Sequence, residues 1–277
     1  MQKFISKNED ISVSIALATY NGERFLSKQL DSLLIQIHSN FEIIISDDGS
    51  TDKTQEILKE YQEKDGRIKW SINPKPDGYI KNFERAIGLC KGEIIFLCDQ
   101  DDVWFSEKIE NHINVYKDEN VSWIYNKVVL IDEEGKEIGY LEDKDPDYYR
   151  NKKELENTWG TCILGCATSY RAKDLHKVMP IGKYAPAHDS WIQLALYPKK
   201  SFFIDEYLQS YRIHDNNTAG WDRGATKEIE DKAIFDNMRY LKSLSGAKNI
   251  GIKKRLFFFF IYNLKRLRSI YRNFMIV

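Results

Sequence analysis

An α/β domain built on a mixed, mainly parallel sheet flanked by helices is the fold that the 277-residue sequence predicts. Three observations predict it. Short apolar runs alternate with helical periods four times before residue 100, the rhythm of a β-α-β-α sheet. Each run has the length of a buried parallel strand. The chain is also 42% apolar and 13% aromatic, which suffices for one large core and excludes wholesale disorder.

The elements follow in order. Strands are predicted at Ser12–Ala18, Phe41–Ile45, Arg67–Ile72 and Glu93–Cys98. Between them come helices at Glu23–Ile37, Thr54–Glu63 and Tyr79–Cys90, the last stopped by Gly92. The second half is less regular. Val121–Ile131 and Ile138–Leu141 form a hairpin around Asp132-Glu133-Glu134-Gly135, and Ile163–Tyr170 and Ser201–Ile213 read as further strands. Helical periods fall at Ser106–Lys117, Arg171–Val178, His188–Tyr197 and Thr226–Leu244, and no internal repeat is visible. The predicted division is one domain over 1–224, with a strand-rich half at 11–104 and an irregular half at 105–224, then a C-terminal helical extension over 225–277.

Charge divides the chain in the same place. Ten of the 41 Lys/Arg lie beyond Asp236, and none of the 42 Asp/Glu do. Within residues 251–277, Leu256, Phe260, Leu264, Leu267, Tyr271 and Phe274 recur at helical spacing among Lys and Arg. Two readings stay open: an interfacial helix on an anionic bilayer, or a helix whose aromatic stripe packs on the domain. Nucleic acid is not expected, because no recognition motif accompanies the charge. Cys90, Cys98, Cys162 and Cys166 lack zinc-ribbon or C-x-x-C spacing, so metal-thiolate chemistry is not expected. The N-terminal stretch has no signal-peptide core, and no apolar run approaches the ~20 residues of a membrane span. A cytoplasmic location follows, peripheral on the membrane under the first of the two readings of the tail.

Ligands of open parallel sheets bind beyond the carboxyl ends of the strands. There this chain places Thr19-Tyr20-Asn21-Gly22, Asp47-Asp48-Gly49-Ser50-Thr51-Asp52 and Asp99-Gln100-Asp101-Asp102. Turn and N-cap chemistry accounts for Asp52, but not for Asp47 and Asp48, which leave a buried strand directly. Three carboxylates within four residues repel one another unless a cation sits among them. Oxygen ligands favour Mg²⁺ or Mn²⁺ over zinc.

The series ALATYNGERFLSKQLDSLL, FEIIISDDGSTDKT and GEIIFLCDQDDVW resembles the nucleotide-binding half of family 2 inverting glycosyltransferases with the GT-A fold. Its DQDDVW form looks like the rhamnosyltransferase-like branch, and the resemblance spans about residues 11–215. It implies a Rossmann-like GT-A sheet, a nucleoside-diphosphate sugar donor and transfer with inversion. By position it assigns Thr19, Tyr20, Asn21 and Glu23 to the base and ribose, and Asp47 and Asp48 to the acidic pair facing them. Gly78 and Asn82 match the segment that closes over the nucleotide. Asp99, Gln100 and Asp101 match the D-x-D element, with Asp101 on the metal, Asp99 toward the ribose, and Asp99 and Asp102 as additional metal candidates.

Further along, His188-Asp189-Ser190-Trp191 resembles the family's catalytic acidic motif. Asp189 is then the general base that takes the acceptor hydroxyl's proton, with His188 and Trp191 as acceptor-binding residues. The alternative for Asp189 is a helix cap. In Tyr211-Arg212-Ile213-His214, His214 resembles the histidine brought to the metal from a late loop, and Arg212 offsets diphosphate charge. Asp215 stands where the family often has Gly.

The reading is a metal-dependent inverting glycosyltransferase using Mn²⁺ or Mg²⁺. It moves rhamnose or another hexose from a dTDP- or UDP-linked donor to a saccharide or lipid-linked glycan in surface polysaccharide synthesis. A homodimer is compatible with it. Two alternatives are a sugar nucleotidyltransferase, whose Gly-rich, Lys-containing loop is missing after the first strand, and a non-catalytic nucleotide-sugar or glycan-binding scaffold.

Overall fold

The structure, a computed structural model, describes residues 11–140, 164–183, 185, 187–196, 199–215, 217 and 242. Predictions for Thr226–Leu244 as a helix, for the extension over 225–277 and for Cys162 fall outside the described residues, Lys242 excepted. Among the described residues, nine strands form one sheet: β1 (Val13–Thr19), β2 (Phe41–Asp47), β3 (Ile68–Ile72), β4 (Ile94–Cys98), β5 (Val103–Trp104), β6 (Val121–Ile131), β7 (Glu137–Tyr140), β8 (Thr168–Arg171) and β9 (Lys200–Arg212). The helices are α1 (Leu26–Leu34), α2 (Thr54–Lys64), α3 (Tyr79–Leu89), α4 (Lys108–Val115), α5 (Ala172–Leu175) and α6 (His188–Leu196).

The strand order is β3-β2-β1-β4-β8-β6-β9-β5, with β7 also paired to β6. The first four strands are mutually parallel. Strand β8 joins β4 antiparallel and β6 joins β8 antiparallel, while β9 runs parallel to β6 along its length. Both faces are covered. Val13, Ile15, Leu17, Ile43, Ile45 and Phe96 pack toward α1, α2 and α4. Their neighbours of opposite parity, Ala16, Ile44, Ile95 and Leu97, pack toward α3 and α6. Burying a large aliphatic side chain this way contributes about 1.5–3 kcal/mol. No helix among the described residues is long and apolar enough to cross a membrane.

Three predicted elements differ most from the sequence prediction. Helix α1 is shorter at both ends. Its entry is a turn in which Phe25 and Leu26 donate to the Gly22 carbonyl, and beyond Leu34 the chain leaves the helix so that Ile37 N–H can reach Ser106 O. In the described part of the strand predicted from Ile163, from Leu164 on, the strand begins at Thr168, because Gly165–Ala167 coil into a 3₁₀ turn. The helix predicted from Arg171 shrinks to α5 plus a 3₁₀ turn at His176–Val178, since Arg171 still belongs to the sheet.

Register places the site. Thr19 lies opposite Asp47 and Leu17 opposite Cys98, so β1, β2 and β4 end on one rim. The two residues of β5 tie that rim to the far end of β9 through Val103 opposite Ser210. Residues 99–102 and 212–214 therefore meet.

Candidate active site

The loops after β1 and β2 are laced together. Asn21, in the left-handed region at φ 47, accepts from Thr51 N–H at 2.9 Å and donates its own N–H to Ser50 Oγ at 2.8 Å. Glu23 accepts from Lys53 N–H at 3.0 Å, and its N–H donates to Asp52 at 3.0 Å. Asp47 is fully buried and accepts from Thr19 Oγ1 at 2.9 Å, Ser50 N–H at 2.9 Å and Ser50 Oγ at 2.5 Å, with Gln55 Nε2 at 3.4 Å. Asp48 accepts from Asn73 Nδ2 at 2.7 Å, Gly78 N–H at 2.8 Å and Asp77 N–H at 3.2 Å. This carboxylate holds the loop before α3 in place. From α3, Asn82 donates to Thr19 O at 3.0 Å while its own Oδ1 is buried without a partner. Tyr20 stands exposed above this pocket. Its backbone pairs in both directions with the Gln100 amide, at 2.9 and 3.1 Å.

The acidic loop after β4 is poorer in donors. Asp102, fully buried, accepts long bonds from Arg212 N–H at 3.2 Å and Gln209 Nε2 at 3.4 Å, and the Cys166 thiol also bonds to it. Asp99, Asp102 and Cys166 each offer a ligand atom within 4.8 Å of the others. Burial first, then the neighbouring carboxylates, hold the protons of Asp99 and Asp102 well above the usual carboxylate range. From the end of β9, His214 brings Nε2 to 2.9 Å from Asp101 Oδ2, with its ring against Phe25. An imidazole and a set of carboxylate oxygens strained by mutual repulsion are donors suited to a hard divalent cation.

Asp189 opens α6, largely buried. Its two oxygens accept from Gly165 N–H at 3.1 Å and Ser190 N–H at 2.6 Å, and its charge reaches Asp99. His188 stacks on Phe83 with ring centroids 3.8 Å apart, and neither ring nitrogen has a partner. Burial pushes its pKa down. Gly165 admits this packing, for a Cβ there would lie 2.7 Å from His188 Nε2.

Two sequence assignments need correction. Trp191 is wholly buried and donates its indole N–H to Val178 O at 2.8 Å, so it presents no face to an acceptor. Arg212 is 1% exposed. Its guanidinium donates to the carbonyls of Asp101, Asp132 and Glu133 at 2.9–3.0 Å and lies over Phe25, fastening the loops rather than facing a diphosphate. Lys108 and Gln209 are residues that the sequence did not single out, and Cys166, whose spacing spoke against metal chemistry, joins Asp99 and Asp102. They come from α4, the turn before β8 and β9, and no local pattern links them. Lys108 is buried beneath Asp102 and Cys166, and burial pulls its pKa down to about 8 against the upward pull of Cys166, Cys98, Asp102 and Asp99.

The comparisons with known proteins point to one family and one fold. Residues 14–179 match the family model described as glycosyl transferase family 2. An uncharacterised glycosyltransferase of Nostoc sp. is 30% identical over 80% of this chain and 71% of its own length. The Escherichia coli UDP-Glc:α-D-GlcNAc-diphosphoundecaprenol β-1,3-glucosyltransferase WfgD is 30% identical over 58% of this chain and 60% of its own. Among solved structures, Staphylococcus aureus TarS in complex with UDP-GlcNAc superposes with a TM-score of 0.64 at 16% identity, over 88% of this chain and 69% of that one. The Pyrobaculum calidifontis mannosyltransferase PcManGT, in complex with GDP-Man and Mn²⁺, gives 0.59 at 15% identity, over 88% and 66%. At such identities the structural likeness speaks for the fold alone, which is GT-A. The family model, spanning more than half of the residues, carries the rest: the chain belongs to glycosyl transferase family 2 and is a glycosyltransferase.

Proposed function

We propose that the chain transfers a sugar, rhamnose or another hexose, with inversion from a dTDP- or UDP-linked donor to a hydroxyl of a saccharide or lipid-linked glycan. The observation that carries this reading is the meeting of Asp101 with His214 at 2.9 Å, on the rim that Asp189 also faces. The donors named for WfgD and TarS, UDP-Glc and UDP-GlcNAc, support a nucleotide sugar, and the diphosphoundecaprenol acceptor named for WfgD supports a lipid-linked glycan.

Asp101 and His214 would hold Mn²⁺ or Mg²⁺, with Asp99 and Asp102, which group with Cys166, as neighbouring candidates, and PcManGT, solved with Mn²⁺, supports that choice. Once bound, the ion supplies countercharge to the departing diphosphate. The chain's own residues do the remaining work. Thr19, Tyr20, Asn21, Glu23, Gly78, Asn82, Asp99 and Gln100 line the base and ribose pocket, and Asp47 and Asp48 fix its walls. Asp189 takes the acceptor proton on its carboxylate, which two backbone N–H groups orient. His188, beside it, meets the acceptor. Residues 225–277 carry peripheral contact with the cytoplasmic face of the membrane bearing that acceptor.

Replacing Asp189 tests this directly. Asp189→Ala lowers the transfer rate by roughly 10²–10⁴-fold while donor affinity stays at the wild-type level. Transfer by the variant at the wild-type rate removes Asp189 as base. Nucleotide binding without transfer or donor hydrolysis by the wild type makes the chain a binding module.

A further inference from the structure

Lys108 is the one lysine buried completely among the described residues, and it lies under the acidic loop. Its ammonium donates to Cys166 O at 2.7 Å and to Gln209 Oε1, and it sits 3.7 Å from the centroid of the Trp104 ring. Two acceptors and one π face use all three N–H donors, which is the pattern of a charged ammonium. Because Gln209 commits its oxygen to the lysine, its Nε2 turns to Asp102 Oδ2 at 3.4 Å and Cys166 Sγ at 3.2 Å. The positive charge therefore stands one residue layer below Asp99 and Asp102. An ammonium is costly to bury unless opposite charge compensates it. A methionine would fill the same space at no such cost. Of the carboxyls, Asp102 and Asp99 are the ones that pull on it, and their ionised forms compensate it.

We propose that Lys108 is an internal countercharge standing in for part of the divalent cation. It lets Asp99 and Asp102 sit together while no ion is bound. By repelling the ion, it keeps the affinity for the cation alone low, so that the ion binds firmly only when a diphosphate adds its own negative charge. Like charges in a low-dielectric interior interact strongly enough for this. The inference rests on reading Asp101, His214 and their neighbours as the cation site.

The test is a Mn²⁺ titration of the full chain without nucleotide, followed by the electron paramagnetic resonance of the free ion. The proteins compared are the wild type, Lys108→Met and Lys108→Gln. Both variants are neutral, and only the second keeps hydrogen-bonding capacity. Both should bind Mn²⁺ at least about tenfold more tightly than wild type. Mn²⁺ should also raise their melting temperatures more than it raises the wild type's, a readout that survives if the variants are less stable. Unchanged or weaker binding in both variants overturns the proposal. Tightening in Lys108→Met alone assigns the effect to packing and overturns it as well. Asp101→Ala and His214→Ala test the cation site separately. If they bind Mn²⁺ as wild type does, that reading fails, while the ratio between the Lys108 variants and wild type still decides the countercharge.

Discussion

Two pairs of aspartates leave parallel strands on the same rim, and their surroundings are opposite. Asp47 and Asp48 are as deeply buried as Asp102, yet each is ringed by short bonds from hydroxyls, amides and backbone N–H groups. Asp99 and Asp102 face each other with few donors and hold their protons abnormally tightly. A carboxylate whose lone pairs are all engaged is architecture, because it fixes the loops that engage it. A carboxylate short of donors is waiting for a positive charge. The same residue type at equivalent places in the fold thus performs two tasks, and the donor inventory separates them.

Substituting one member of each pair should give opposite results. Asp47→Ala strands Ser50 N–H, Thr19 Oγ1 and Ser50 Oγ in a buried pocket, and should cost roughly 3–4 kcal/mol of stability in urea unfolding. Asp102→Asn removes a repulsion from Asp99 but also part of the countercharge to Lys108, and should cost about 1–2 kcal/mol, less than the loss of Asp47, while weakening Mn²⁺ binding. If both substitutions destabilise alike, the distinction between the pairs collapses.

Much of this layout was legible before any coordinates. The apolar runs that became β1, β2 and β4 read as buried strands, β3 is the half-exposed edge strand beside them, and the acidic and polar loops sit at the strand ends as the βα rhythm requires. Motif likeness brought Asp101 and His214 together in expectation, although they lie 113 residues apart. What stayed hidden depends on distant partners. Trp191 occupies a helical position that reads equally well as core or as sugar platform, and only packing against Val178 decides it. Arg212 looks like a free cation in sequence, but its bonds run to carbonyls of two other loops. Lys108 and Gln209 sit 101 residues apart, and neither carries a local signal. The strand β5 is two residues long, too short for any periodicity to show.

The comparison extends from carboxylates to imidazoles. Both ring nitrogens of buried His112 are paired, Nδ1 with Ser169 Oγ at 2.7 Å and Nε2 with Asn126 Oδ1 at 3.1 Å, whereas those of His188 have no partner. Burial, aided by nearby Lys108, pushes the His112 pKa down to about 3. The folded protein keeps His112 neutral where the unfolded chain, near the ordinary value of about 6.5, takes up a proton. That difference stabilises the fold above pH ~6.5 and is lost as the pH falls toward about 3. His112→Phe should cost about 2 kcal/mol at neutral pH. Measured by urea unfolding across this window, the gap between variant and wild type should narrow steadily on acidification. A constant gap would mean that His112 titrates normally in the folded state.

The smallest effect expected tests how the well-satisfied side of the rim is held together. Gln100 pairs with both backbone groups of Tyr20 only because position 22 lacks a side chain. A Cβ on Gly22 would lie 2.4 Å from Gln100 Oε1. The Gln100 amide is the end of a flexible side chain, so Gly22→Ala should displace it rather than distort the backbone. The cost should be about 1 kcal/mol, with donor binding weakened several-fold as the Tyr20 loop loosens. A double-mutant cycle sharpens the assignment. In a Gln100→Ala background the added methyl group meets no amide, so Gly22→Ala should cost nothing further in stability or donor affinity. An equal cost in both backgrounds would place the need for glycine in the turn that starts α1, where Phe25 and Leu26 both bond to the Gly22 carbonyl.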